Sequence, residues 1–175
     1  MSRPSVFVGL PCYDMMKVET CLSLLNLFNK FTVHNIPAEF RTAKSPYVGH
    51  CRNLLTAGFL HSDKDYLLFV DADMQFVEIT AEPTGLMLIH RSVFTKLQLE
   101  HPHLQIKFPE EKRKNINAEI MGAENTGENP SKDCLWNFFD TSFENHLFKG
   151  EDIAFCELAR KSGISIFANI DSTTI

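Results

Sequence analysis

Asp71 and Asp73 are separated by a single alanine and follow the run Tyr66-Leu67-Leu68-Phe69-Val70. Residues two apart in an extended segment point the same way, so both carboxylates can converge on one ligand. Two uncompensated anions this close repel each other. A hard divalent cation, Mg²⁺ or Mn²⁺, would join them through oxygen ligands. Held there, it could grip a diphosphate and neutralise the charge that develops as that group leaves. A solvated strand-to-loop turn produces the same tripeptide, since Asp is common in turns and the motif is short. Its position after the most apolar strand of the chain favours the ligand reading. Other chemistry-bearing groups carry less weight. Trp136, Phe138 and Phe139 could wall a sugar or simply fill a core. His101 and His103 flank Pro102 and could chelate, although such a pair is more often surface decoration.

The elements that must position these groups follow from periodicity. Ser5-Val6-Phe7-Val8-Gly9-Leu10 predicts a buried strand. Val18, Cys21, Leu22, Leu25 and Phe28 recur at spacings of three and four, the mark of an amphipathic helix whose apolar stripe ordinarily turns to the core. Asn35–Thr42 predicts a second strand. Pro46–Leu60 predicts a helix with Cys51, Leu54, Leu55 and Phe59 on one side. The run 65–70 has apolar residues on both faces, as expected in the middle of a parallel sheet covered on both sides. The resulting β-α-β-α-β order is that of a doubly wound α/β unit, whose ligands bind beyond the carboxyl ends of the strands. Pro11-Cys12-Tyr13 and Asp71-Ala72-Asp73 stand at two such ends. Further along, the pattern predicts a strand at 85–89, a helix through Val93, Leu97 and Leu99, and a strand-like aromatic block from Trp136 to Phe143. A helix at 151–161 and a strand at 164–170 close the chain. Residues 107–133 are charged, contain Gly122 and Gly127, and read as a long excursion that could close over a bound ligand.

Composition bounds the function. The 175 residues are 44% apolar, enough for a core and suited to one domain. Seventeen Lys and Arg stand against 22 Asp and Glu, a formal charge of −5. That balance opposes sequence-independent nucleic-acid binding, which needs excess cations. Cysteines at 12, 21, 51, 134 and 156 form no CxxC pair, so neither a disulfide framework nor a structural zinc site is expected. No apolar run approaches membrane-spanning length.

Five ordered blocks resemble a known family. Val8-Gly9-Leu10-Pro11-Cys12-Tyr13, His50-Cys51-Arg52-Asn53 and Leu68-Phe69-Val70-Asp71-Ala72-Asp73 are similar to GT-A-fold glycosyltransferases, most of all the small family-2-like enzymes of large DNA viruses, phages and bacteria. Thr84-Gly85-Leu86-Met87-Leu88-Ile89-His90-Arg91-Ser92-Val93-Phe94 is similar to that group's "TGFMLIKREVF" block, and Gly150-Glu151-Asp152-Ile153-Ala154-Phe155-Cys156 to its "SEDYAFC" helix. The resemblance implies one GT-A-like domain, with residues 1–76 as nucleotide-binding half and 77–175 as acceptor and catalytic half. It implies transfer of a hexosyl-type sugar from a nucleotide-diphospho-sugar, UDP-linked as first expectation, to a glycan or protein acceptor. Pro11, Cys12, Tyr13, Arg52, Asn53, Asp71 and Ala72 would contact the nucleotide, Arg52 meeting phosphate through paired N–H donors. Asp71 and Asp73 would hold Mn²⁺ or Mg²⁺, Asp73 as the more direct ligand. Gly85, Phe139 and Asp140 would face the acceptor. Asp152 would be the base of an inverting transfer, with Glu151 beside it; acids in the first turn of a helix also simply complement its dipole. A cytoplasmic setting is expected, the host's if the chain is viral, with no nucleic-acid partner and no membrane span.

The chain also departs from that family. Val77-Glu78-Ile79-Thr80 follows directly where relatives run through a further βα unit, and no "HxG" histidine is found for the metal. Two alternatives therefore stand beside the enzyme: a catalytically impaired nucleotide-binding relative, and a sugar nucleotidyltransferase. The latter would want a Gly-rich basic loop after the first strand, where this chain has Pro-Cys-Tyr-Asp.

Overall fold

Strand β1, Val6–Cys12, is buried along almost its whole length, because it is central: β2 (Ala38–Lys44) pairs with it on one side and β3 (Tyr66–Val70) on the other. Both pairings are parallel, with Gly9 level with Arg41 and Phe69. Strand β4, Leu86–His90, joins the far side of β3 antiparallel, giving the order β2-β1-β3-β4. The computed structural model describes residues 3–74, 86–107, 135–144 and 147–167. The expected mixed α/β architecture with a mostly parallel sheet is present, with strands 6–12, 38–44 and 66–70 side by side as expected. The expected strand at 85–89 differs in running antiparallel.

Alternation divides the sheet into two faces. Val6, Val8, Leu10, Leu68 and Val70 pack under helix α1, Val18–Val33, through Leu24 and Leu27. Phe7, Leu67 and Phe69 pack on the other face against helix α2 (Val48–His61), helix α3 (Arg91–Glu100) and helix α4 (Glu151–Lys161). Edge-to-face rings knit this second side: Phe59 stands 5.9 Å from Phe94, and Phe69 5.3 Å from Phe139.

Three sequence expectations are corrected. The stripe Val18, Leu22, Leu25 does not face the core; α1 buries Thr20, Ser23, Leu24 and Leu27 instead. Helix α2 is buried from Cys51 through Phe59 rather than on one side, because residues 135–140 cover its outer surface. The aromatic block is not a continuous strand: Trp136 makes one antiparallel bridge to Gln105, and only Ser142–Glu144 (β5) pairs, with Leu147–Lys149 (β6). Of the strand expected at 164–170, residues 164–167 form none and the rest lie outside the described residues, as does almost all of the 107–133 excursion. No described helix is long and apolar enough to cross a membrane.

Candidate functional site at the carboxyl edge of the sheet

Parallel pairing brings the carboxyl ends of β1, β2 and β3 to one edge. Residues 11–14, 45–49 and 71–74 leave the sheet there, and the amino ends of α1 and α2 return to it. Neither helix carries a side-chain cap at its start, so their first N–H groups keep their partial positive charge.

Arg52 is the hub of this edge. It lies one turn into α2 and is 3% exposed, yet its guanidinium carries two carboxylates. Nη2 donates to Asp71 Oδ1 at 3.1 Å, and Nη1 stands 3.3 Å from Glu151 Oε1. Phe69 and Phe139 flank the cation, their ring centroids 5.6 and 6.0 Å away. Nε and Nη1 make no hydrogen bond among the described residues, so the Glu151 contact is an ion pair only. The end of β3 and the first turn of α4 are thereby drawn together, although 80 residues separate them.

The acids do not emerge along an extended segment as expected. The chain turns at once, with the Met74 N–H donating to Asp71 O at 3.2 Å, which leaves Asp71 half-buried and Asp73 exposed. The Ala72 carbonyl anchors this turn, accepting from the Lys17 N–H at 2.9 Å and from the Thr20 hydroxyl at 3.0 Å. Burial pushes the Asp71 carboxyl above its ordinary value; Arg52 opposes the rise, and the charges of Asp73 and Glu151 add to it.

Asn53 works beside Arg52. Its Nδ2 donates to Asn137 Oδ1 at 2.9 Å and to Phe139 O at 3.3 Å, while its Oδ1 accepts from the Phe139 N–H at 3.0 Å. Asn137 in turn donates to Asp140 at 2.8 Å. Gly49 completes the grip, since a Cβ there would meet Phe139 O at 2.5 Å. Asn53 therefore fixes the loop 135–140, and its amide is engaged there on Asn137 and Phe139.

The remaining site residues divide. Pro11 is buried within β1, Cys12 is half-buried, and Tyr13 stands 68% exposed at the edge. The Cys12 carbonyl accepts from the Ser45 N–H at 3.2 Å, joining the ends of β1 and β2. Trp136, Phe138 and Phe139 are all core residues, and Phe139 stacks on Phe155 at 4.4 Å, so these rings do not form an open acceptor wall. Asp140 is exposed. Gly85 lies outside the described residues. Asp152 stands in the first turn of α4 with Oδ1 accepting the Ile153 N–H at 2.7 Å, whereas Glu151 is the acid turned to Arg52. Burial raises the Cys51 and Cys156 thiols, which disfavours either as a thiolate nucleophile. The residues the sequence did not single out are Thr20, Gly49 and Asn137; their partners are 52 to 90 residues away, beyond any local signal.

No group of three or more His, Cys, Asp or Glu suited to a metal occurs among the described residues. Asp71 and Asp73 are compatible with a narrower role. Two carboxylates whose charges oppose each other fit a Mg²⁺- or Mn²⁺-type ion that takes its other ligands from water and phosphate oxygens. His101 and His103 do not add to this site: His101 Nε2 is 2.8 Å from the Ser162 hydroxyl. Comparison with protein-family models, with known proteins and with solved structures finds no match for the chain.

Proposed function

We propose that the carboxyl edge binds a nucleotide-diphospho-sugar, UDP-linked in the first instance, and transfers its sugar to a glycan or protein hydroxyl with inversion. The observation that carries this reading is the ionic chain Asp71–Arg52–Glu151. It draws the first turn of α4, which holds Asp152, to the turn that holds Asp71 and Asp73. A single displacement needs those two halves: a carboxylate on the acceptor side and a stabilised leaving group on the other.

In the transfer, the acceptor oxygen attacks the anomeric carbon and its proton passes to the Asp152 carboxylate. The anomeric C–O bond breaks, and the nucleoside diphosphate leaves with the electron pair. Mn²⁺ or Mg²⁺ on Asp71 and Asp73 would supply charge neutralisation for the diphosphate. The uncapped amino ends of α1 and α2 suit an anion at this edge. Arg52 positions Glu151 and Asp71, and its Nε and Nη1, which make no hydrogen bond among the described residues, are donors left for a ligand. The runner-up, nucleotide binding without transfer, draws on the sequence: Val77-Glu78-Ile79-Thr80 follows directly where the resembled family runs through a further βα unit.

Calorimetry with UDP and Mn²⁺ tests both readings together. Asp73→Ala is expected to weaken UDP–Mn²⁺ binding at least about tenfold, the scale of one lost charged ligand; undiminished affinity would end both. Asp152→Asn should keep that affinity and lower turnover by roughly two to four orders of magnitude. Near-normal turnover in that variant, or a product of retained configuration, would remove the inverting mechanism.

A further inference from the structure

Helix α1 is apolar on two sides. Leu24 and Leu27 face the sheet, while Val18, Leu22, Leu25 and Val33 are between 56 and 70% exposed. At 100° per residue the exposed four span an arc of about 80°, opposite the buried side, with exposed Asn29 inside it between Leu25 and Val33. A helix apolar on one stripe is a normal surface helix; one apolar on two opposite stripes is built to be covered twice. Among the described helices, the other face of the sheet carries three and this face carries α1 alone.

We propose that the outer stripe of α1 is the seam of a homodimer, in which α1 packs antiparallel on the partner's α1 about a two-fold axis at Leu25. One observation selects a second copy as the occupant, and it is charge. Glu19 and Lys30 fall about 20° apart on one flank of the stripe; both are exposed, and neither has an ion-pair partner among the described residues. In an antiparallel helix pair like flanks face each other, and a two-fold axis near residue 25 sets Glu19 close to the partner's Lys30, twice per dimer. A parallel pair would face that flank with the opposite one, which carries Cys21 and Phe28. Around the axis Leu25 meets the partner's Leu25.

Sedimentation velocity of the full chain at micromolar concentrations tests this. The wild type is expected as a dimer. Leu25→Asp is expected to weaken association about a hundredfold or more, because it sets two charges against each other on the axis, with far-UV circular dichroism unchanged. A monomeric wild type would overturn the proposal and give the stripe to another occupant, and so would a dimer that survives Leu25→Asp intact. Should that variant fail to fold, the surface charges decide. Glu19→Lys should weaken the dimer about tenfold by turning two attractions into repulsions, and Glu19→Lys with Lys30→Glu should restore it. No loss in Glu19→Lys, or loss without restoration, would overturn the antiparallel seam.

Discussion

The two ends of α2 are each held by a buried or half-buried arginine, and the two behave differently. At the carboxyl end, Arg91 of α3 stacks 4.3 Å over Phe59 and spends its guanidinium on backbone: it donates to Phe59 O at 2.8 Å, Leu60 O at 3.2 Å, Ser62 O at 2.9 Å and Lys64 O at 2.7 Å. Those carbonyls belong to the last turn of the helix and the exit from it, where acceptors otherwise lack partners. Its N–H groups are matched to neutral acceptors, as a structural cap requires. At the amino end, Arg52 meets carboxylates rather than carbonyls and leaves Nε and Nη1 without a hydrogen bond among the described residues. A buried donor left without an acceptor is costly unless something else uses it. The contrast separates an arginine that closes a helix from one that organises a site.

Substitution should expose that difference. Arg91→Met is expected to lose about 3–4 kcal/mol of stability by denaturant unfolding, because several carbonyls lose their donor at once. Arg52→Met should lose roughly half as much at neutral pH. Its removal leaves Asp71 and Glu151 facing each other, but both carboxylates reach solvent, with side chains 28 and 19% exposed. The Arg52→Met loss should shrink as pH falls and the two acids take up protons, whereas the Arg91→Met loss should not. Equal, pH-independent losses would mean that Arg52 is a structural cap like Arg91.

Much of this arrangement is legible in the sequence, and the limits have physical causes. β1, β2, β3, α2 and α4 lie where periodicity and apolar runs put them, since each is long or uniformly apolar. Asp71, Arg52, Asn53 and Glu151 converge as a carboxyl-edge site requires. Periodicity also found the apolar stripe of α1, but a stripe does not say what it faces. The side turned to the sheet contains Thr20 and Ser23, polar residues buried because small side chains let the helix approach and the Thr20 hydroxyl reaches Ala72 O. Arg91 looks like any charged residue opening a helix; its four acceptors lie some 30 residues earlier. The block 136–139 has strand composition, yet α2 grips it through Asn53 and Gly49 in place of a ladder.

That grip is the next place to sharpen the comparison. Asn53 satisfies both backbone polar groups of Phe139, so Asn53→Ala strands a buried N–H and a buried C=O together. The expected loss is about 2–3 kcal/mol, at the upper end for such groups. Because Asn137 and Asp140 hang from the same amide, proteolysis or hydrogen exchange at 135–140 should speed up in Asn53→Ala while the Arg91 end of α2 stays protected. Uniform loosening along α2 would show that its two ends are not independent.

The smallest expected effect concerns Asp71, and its sign distinguishes a site residue from a scaffold residue. Burial raises its carboxyl above the ordinary value despite the Arg52 bond, with Asp73 and Glu151 adding to the rise. The folded protein therefore holds this proton more tightly than the unfolded chain does. Between the unfolded value and the raised folded value, the unfolded state binds fewer protons, so stability falls as pH rises through that window. Above it, the charged Asp71 remains a net burden on folding. Asp71→Asn keeps an oxygen for the Arg52 Nη2 N–H but never carries the charge. It should melt on the order of a few degrees higher than wild type at pH 7, with the gap closing as pH drops below the ordinary carboxylate range. The same variant should lose Mn²⁺-dependent UDP binding, since a neutral amide is a poorer ligand for a hard cation. Melting unchanged or lowered at pH 7 would place Asp71 with Arg91 among the residues that merely hold the fold together.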